Sequence, residues 1–184
     1  MTQKQIMLWY RTALGPVIRE ALAKNTGVIY TEDWLAAMAY RETWTVISKH
    51  EDKVAIPSRM HDHARGDYGK RPGEDEFSYH GYGYWQIDIG SYPLFIRSGD
   101  WKDPLLCCLK AIQVLEEKRK YLQTQYGLEK LDEVTGHRSI TAAYNCGQGN
   151  VLKALKKGYD VDRYTHGGDY SQKVWAYRAL YRNL

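Results

Sequence analysis

The sequence has few cysteines and no long run of apolar residues. The 184 residues include three cysteines, Cys107, Cys108 and Cys146. This small, odd number does not suit a disulfide framework, so reduced thiols in the core are expected. No apolar stretch reaches the length of a transmembrane helix. The first ten residues carry no signal-peptide hydrophobic segment, which leaves any export route open.

A strong excess of one charge is also missing. The formal net charge is only +4, which argues against a basic nucleic-acid-binding domain. Linkers, internal repeats and low-complexity segments are absent from the sequence, so one domain over 1–184 is predicted, with an N-terminal helical extension over about 1–28. The sequence contains 16 Tyr but only 2 Phe. The tyrosines either replace Phe in the core or form surfaces that suit carbohydrate or peptide.

The apolar periodicity predicts a mainly α fold with a small β or irregular insertion in the middle. Helices are expected over 3–13, from Pro16 to about Lys24, from a Thr31 cap to between Glu42 and Ile47, from an Asp103 cap to about Tyr126, over 139–145, over 150–157, and from an Asp169 cap through Tyr181. The Gly-rich, polar residues 50–81 predict an irregular loop with room for a small hairpin.

Residues 81–90 (GYGYWQIDIG) alternate between polar and apolar positions. In an extended segment this pattern places Tyr82, Tyr84, Gln86 and Asp88 on one face and Trp85, Ile87 and Ile89 on the other. One polar and one apolar face are typical of a strand that forms the wall of a cleft.

Glu42 closes the apolar face of the predicted Thr31 helix. It follows Leu35 by seven residues and Met38 by four, so the three side chains share one side of the helix. Desolvation and the negative end of a helix dipole both raise the pKa of a carboxyl group at such a position, as a general acid requires. The alternative is a structural carboxylate paired with Arg41 or turned toward water.

Three segments, in this order, carry a family resemblance: residues 40–43 (YRET), 83–88 (GYWQID) and 143–151 (AYNCGQGNV). Together they resemble the goose-type lysozymes and the related soluble lytic transglycosylases, from about Trp34 to the C-terminal helix. The resemblance implies an α+β, lysozyme-like fold, in which the small insertion lines the active-site cleft. The acid that ends the second segment is more like the goose-type branch.

The resemblance implies catalytic roles for three acids. Glu42 matches the family's general acid, and Asp88 matches an acid that holds or activates water. Asp67 is the best match to a second such acid, but the stretch between Asp67 and Gly83 is longer than the family pattern. The neighbouring acids Asp62, Glu74, Asp75 and Glu76 therefore remain alternatives to Asp67 as the partner of Glu42.

The resemblance also implies sugar-binding residues. Tyr144 and Asn145 match the family's sugar-contacting pair, and Gln86, Tyr92 and Tyr170 match residues that line its cleft. The family needs no cofactor or metal, and none is expected here. His61 and His63, with Asp62 and His80 near them, are interpreted as hydrogen-bonded or solvated side chains rather than as a zinc site.

The expected function is that of a muramidase, which hydrolyses the β-1,4 bond between N-acetylmuramic acid and N-acetylglucosamine in peptidoglycan by an inverting route. Alternatives are a lytic transglycosylase, a chitinase that acts on chito-oligosaccharides, and a non-catalytic peptidoglycan-binding module. The protein is expected to work as a monomer on the cell wall, outside the cell or in the periplasm, without nucleic acid and without a membrane span.

Overall fold

The computed structural model describes residues 1–49 and 64–184. Helices dominate these residues, and three short strands within them form a small sheet, which confirms the predicted mainly α fold with a β insertion. The α-helices are α1 (Gln3–Trp9), α2 (Gly15–Lys24), α3 (Glu32–Lys49), α4 (Pro93–Ser98), α5 (Pro104–Gln125), α6 (Glu133–Cys146), α7 (Gln148–Lys156) and α8 (Tyr170–Arg182). Short 3₁₀ turns occupy Asp100–Lys102, Leu128–Lys130 and His166–Gly168.

The chain divides into two compact units. The first comprises Met1–Ala111 with Leu180–Leu184, and the second comprises Ile112–Ala179. The single domain over 1–184 stays a prediction.

The N-terminal helices run into each other, contrary to the predicted break at Gly15-Pro16. A π-helical turn, Tyr10–Leu14, joins α1 to α2, and Gly15 keeps right-handed helical angles. Pro16 has no N–H to donate and its ring crowds the preceding turn. The wider π turn accommodates this proline without ending the helix.

Helix α3 is the most buried element of the first unit. Every residue from Trp34 to Tyr40 is at most 1% exposed, so the helix is enclosed on all sides rather than along one stripe. Leu35 and Met38 are completely buried, as predicted, and Glu42 at the end of this run is partly buried.

Strands β1 (Arg65–Gly69), β2 (Ser78–Tyr82) and β3 (Ile87–Asp88) form the antiparallel sheet in that order. The predicted hairpin is therefore present, but the prediction of one extended segment over 81–90 is wrong. Gly83, with φ of 77°, and Gln86, with φ of 50°, reverse the chain between β2 and β3. Tyr84 and Trp85 both lie buried in that turn instead of facing opposite ways.

In the second unit, α6 begins earlier than the predicted 139–145. Asp132 caps it by accepting a hydrogen bond from the Thr135 amide at 2.9 Å. Gly147, with φ of 83°, then separates α6 from α7. One buried apolar cluster of this unit comprises Leu122, Ala142, Ala143, Val151, Leu152, Leu155 and Val161.

Cys107 and Cys108 are free and fully buried, as predicted, and Cys146 is free and partly buried. Among the described residues, none of the helices combines the length and the apolar character that crossing a membrane requires.

Candidate active site

Glu42 lies in the second half of α3, next to a residue that anchors this part of the helix. The Thr43 hydroxyl is fully buried and donates to the Ala39 carbonyl at 2.8 Å. Because its proton is used there, Thr43 Oγ1 accepts from the Tyr10 hydroxyl at 2.7 Å. These bonds hold the backbone that carries Glu42 against the N-terminal π turn.

Tyr10 shows that the N-terminal helices belong to the surroundings of Glu42. Its ring packs edge-on to Tyr40 with centroids 5.6 Å apart. Burial raises the pKa of the Tyr10 phenol, and the nearby negative charge of Glu42 contributes to the rise. The predicted extension over 1–28 therefore supplies part of the wall beside the candidate acid.

The turn between β2 and β3 is fastened to α3 by one hydrogen bond and also approaches the helix at a second point. The Trp85 indole N–H donates to the Leu35 carbonyl at 2.9 Å, and both side chains are completely buried. Eight residues further along α3, the Thr43 hydroxyl approaches the Tyr84 carbonyl at 3.4 Å. This attachment fixes the strand that carries Asp88 with respect to the helix that carries Glu42.

Arg71 joins the two predicted water-holding acids. Its Nη2 lies 2.9 Å from Asp67 Oδ2, and its Nη1 lies 2.7 Å from Asp88 Oδ2. The planar guanidinium thereby holds two carboxylates from different strands at a fixed separation. The sequence analysis missed Arg71; its position four residues after Asp67 was the available signal.

Asp88 is held in its ionised form. Burial raises its pKa, but hydrogen bonds from Arg71 and Ser91 outweigh that effect and leave the pKa below the ordinary value. Ser91 contributes through both its amide, at 2.8 Å, and its hydroxyl, at 2.9 Å, on Asp88 Oδ1. Asp88 is therefore a proton acceptor near neutral pH and not a proton donor.

His80 and Glu74 brace the other side of the hairpin. His80 is 1% exposed; its Nδ1 donates to the Asp67 carbonyl at 2.7 Å, and its Nε2 lies 2.9 Å from Glu74 Oε2. Glu74 also accepts from the Arg71 amide at 2.7 Å. Because both ring nitrogens face acceptors, the protonated imidazole is favoured, and the pKa of His80 is raised.

This pairing bears on the zinc alternative and on the choice of loop acid. Both nitrogens of His80 are occupied, and the described residues contain no group of three or more His, Cys, Asp or Glu suited to a metal. Among the alternative loop acids, Glu74 is paired with His80, whereas Asp75 and Glu76 are exposed to solvent. His61, Asp62 and His63 lie outside the described residues.

Gln86 is turned onto the sheet. Its amide Nε2 donates to the Gly83 carbonyl at 2.9 Å and the Ala64 carbonyl at 3.2 Å. Its side chain covers Gly66 and Gly81, which face each other across β1 and β2 and have no side chain to exclude it. Gln86 therefore supports the hairpin, and its partial exposure leaves one edge accessible.

Asp67 and Gln86 are the non-glycine residues with positive φ in the described chain, at 51° and 50°. Each such residue costs about 1–2 kcal/mol, and surrounding contacts must offset that cost. Two predicted site residues thus occupy strained positions in the same small sheet, one in β1 and one in the turn between β2 and β3. Tyr92 is partly buried and lies at the N-cap of α4. The Lys110 ammonium lies 5.2 Å from the centroid of its ring.

The second unit holds the remaining predicted site residues. Tyr144 and Asn145 lie in the last turn of α6, partly buried and exposed respectively. Asn145 Oδ1 accepts from the His166 amide at 2.9 Å, which orients the side-chain amide. Tyr170 begins α8 and is only 1% exposed, so it presents almost no surface to a ligand.

The first unit therefore contains Glu42, Asp67, Asp88, Gln86 and Tyr92, and the second contains Tyr144, Asn145 and Tyr170. Sequence reasoning missed Thr43, Tyr10 and Arg71 as supporting residues, since their contacts join distant segments of the chain.

Comparison with known proteins adds no family to these observations. The chain matches no family model and no curated protein. The goose-type resemblance therefore stays a prediction.

Proposed function

We propose that this protein is a peptidoglycan hydrolase that cleaves the β-1,4 bond between N-acetylmuramic acid and N-acetylglucosamine. One observation carries the proposal: Arg71 bridges Asp67 and Asp88 on a small sheet whose β2–β3 turn is fastened to the helix bearing Glu42. A pair of carboxylates and a separate, partly buried carboxyl group are the components of an inverting glycosidase.

Glu42 serves as the general acid. It protonates the glycosidic oxygen as the bond to the anomeric carbon breaks, so the departing sugar leaves as a neutral alcohol. Thr43 and Tyr10 position it by anchoring the part of α3 that carries it. The Glu42 carboxylate that results regains its proton from solvent after product release.

Asp88, with Asp67 beside it, orients and deprotonates the attacking water. The lowered pKa of Asp88 keeps it ionised, and its tether to Arg71 and Ser91 keeps it in place. The water proton passes to this carboxylate while its oxygen bonds to the anomeric carbon. Two carboxylates paired with one guanidinium leave a net negative charge, which favours the positive charge that develops on the sugar.

In the second unit, Tyr144 and Asn145 are assigned to sugar contact. The Asn145 oxygen is engaged by His166, so the amide nitrogen is the atom that would donate to an N-acetyl carbonyl. The proposal implies a monomer that acts at the cell wall and needs no cofactor.

Mass spectrometry of purified peptidoglycan after digestion tests the proposal. The expected products carry reducing N-acetylmuramic acid ends. Mostly 1,6-anhydro ends would instead identify a lytic transglycosylase, and cleavage of chito-oligosaccharides without peptidoglycan cleavage would identify a chitinase. Binding to peptidoglycan without any product would identify a non-catalytic module.

A further inference from the structure

The β1–β2 hairpin presents three exposed aromatic side chains. Tyr68 is 63%, Phe77 65% and Tyr79 36% exposed. Tyr68 and Tyr79 are direct cross-strand partners with ring centroids 4.8 Å apart, and Phe77 lies 6.1 Å from Tyr68. Clustered exposed rings mark an interaction surface more often than scattered ones do.

We propose that these three rings, the aromatic platform, bind a glycan strand of N-acetylated amino sugars. A pyranose ring offers an apolar C–H face that packs on a flat aromatic ring, while its hydroxyls reach the polar edge of a tyrosine. The rings of Tyr79 and Phe77 are tilted 50° and 35° from that of Tyr68. The surface therefore suits successive sugar rings better than one flat ligand.

A cation completes the polar side of the platform. The Arg65 guanidinium lies 5.1 Å from the centroid of Tyr79. Stacked in this way, it keeps N–H donors at the edge of the ring, where sugar hydroxyls or the lactyl carboxylate of muramic acid would lie.

Residues of the platform lie next to Asp67 and to the His80 that contacts it. Tyr68 follows Asp67 in β1, and Tyr79 precedes His80 in β2. Tyr79 is turned to solvent while His80 is buried, as the alternation of a strand requires. On one side of β2, His80 supports Asp67. On the other side, Tyr79 and the rest of the platform would bind the glycan, which raises the local concentration of glycan near the acids.

The identity of the glycan depends on the proposed function, but the binding test does not involve turnover. Co-sedimentation with insoluble peptidoglycan in the cold compares the wild type with Tyr68→Ala and Phe77→Ala. Tyr121→Ala, which removes a 37% exposed aromatic ring from α5, is the matched control. Each platform variant is expected to raise the apparent Kd about two- to tenfold, and the control to leave it unchanged.

Unchanged binding by both platform variants, with circular dichroism equal to that of the wild type, would overturn the proposal. So would sedimentation-velocity data in which the wild type self-associates and the variants do not, while glycan binding stays the same. An active Glu42→Gln enzyme would overturn the catalytic proposal and leave the platform result standing.

Discussion

Arg71 Nη1 lies 2.7 Å from Asp88 Oδ2, and this ion pair ties the turn after β1 to strand β3. The second guanidinium nitrogen reaches Asp67 at the same time. Two carboxylates of like charge can stay close together because one cation lies between them. The position of both candidate water-holding acids therefore depends on Arg71.

Replacing Arg71 with lysine tests this dependence. A single ammonium can contact one carboxylate well but does not reproduce the planar fork, so Asp67 and Asp88 lose their fixed separation. The rate of peptidoglycan cleavage should fall about 10- to 100-fold. Unfolding free energy should change by less than about 1 kcal/mol, since partly exposed ion pairs contribute little.

The control for that variant is Arg97→Lys, at an exposed position on α4. Both proteins are compared in cleavage rate and in urea unfolding. An Arg71→Lys enzyme as active as Arg97→Lys would show that the bridge does not position the acids.

The contact between Thr43 and Tyr10 predicts a measurable coupling. Thr43→Val leaves the buried Tyr10 hydroxyl without this acceptor and should cost about 1–3 kcal/mol of unfolding free energy. Tyr10→Phe should cost about 1 kcal/mol, because Thr43 keeps its bond to the Ala39 carbonyl. The double variant should lose less than the two single losses combined, as measured by denaturant unfolding.

Thr26→Val, in the exposed segment after α2, is the matched control and should leave stability nearly unchanged. Strict additivity of the Thr43 and Tyr10 variants would contradict the proposed hydrogen bond.

His80 and Glu74 predict a pH window for the hairpin. Hydrogen bonds to the Asp67 carbonyl and to Glu74 raise the pKa of His80 in the folded protein above 6.5. The stabilisation that protonated His80 contributes is therefore complete below pH 6.5 and is lost as the pH rises through the pKa of the folded state. Hydrogen bonds from the Arg71 amide and from His80 lower the pKa of Glu74 in the folded protein below 4.5. The stabilisation that ionised Glu74 contributes is therefore present above pH 4.5 and is lost as the pH falls through the pKa of the folded state.

Amide hydrogen exchange of β1 and β2 across this range should therefore show greatest protection between the two transitions. His80→Gln should remove the alkaline decline in protection and keep the acidic one. Protection that rises steadily with pH above 6.5 in the wild type would contradict the assignment.

Gly83 allows the turn that brings Trp85 onto α3. An alanine there would take φ of 77° and place its Cβ 2.5 Å from Cys107 Sγ and 3.2 Å from the Trp101 carbonyl. Gly27 has φ of 88° with open space around it, so Gly27→Ala isolates the backbone cost of about 1–2 kcal/mol. Gly83→Ala should lose about 1–3 kcal/mol more than Gly27→Ala in thermal unfolding; equal losses would contradict the crowding.

The helices could be predicted from the sequence because their signals are local. The cap at Asp103 is observed, with its carboxylate accepting from the Leu105 amide at 2.7 Å. Gly127 ends α5 with φ of 85°. The start of α6 was missed because Gly136 weakens the local helix signal, although it packs close to the Leu128 carbonyl in the folded unit.

The arrangement of the site could be predicted only in part. Their neighbours in the sequence made Asp67 and Asp88 candidates, but the guanidinium that they share is a tertiary contact that spacing does not reveal. The alternation over 81–90 was misleading because it predicts an extended backbone at Gln86. Gln86 instead adopts a left-handed conformation, which the hydrogen bonds from its side-chain amide to backbone carbonyls stabilise.

We propose that Glu42 donates the proton to the leaving sugar. The rate of reducing-end release from purified peptidoglycan by Glu42→Gln tests this role, beside Glu20→Gln, which changes a 56% exposed glutamate on α2. We expect Glu42→Gln to keep its fold and to lose about 100-fold or more in rate, and Glu20→Gln to retain the wild-type rate. A Glu42→Gln protein that releases reducing ends at the wild-type rate would contradict it.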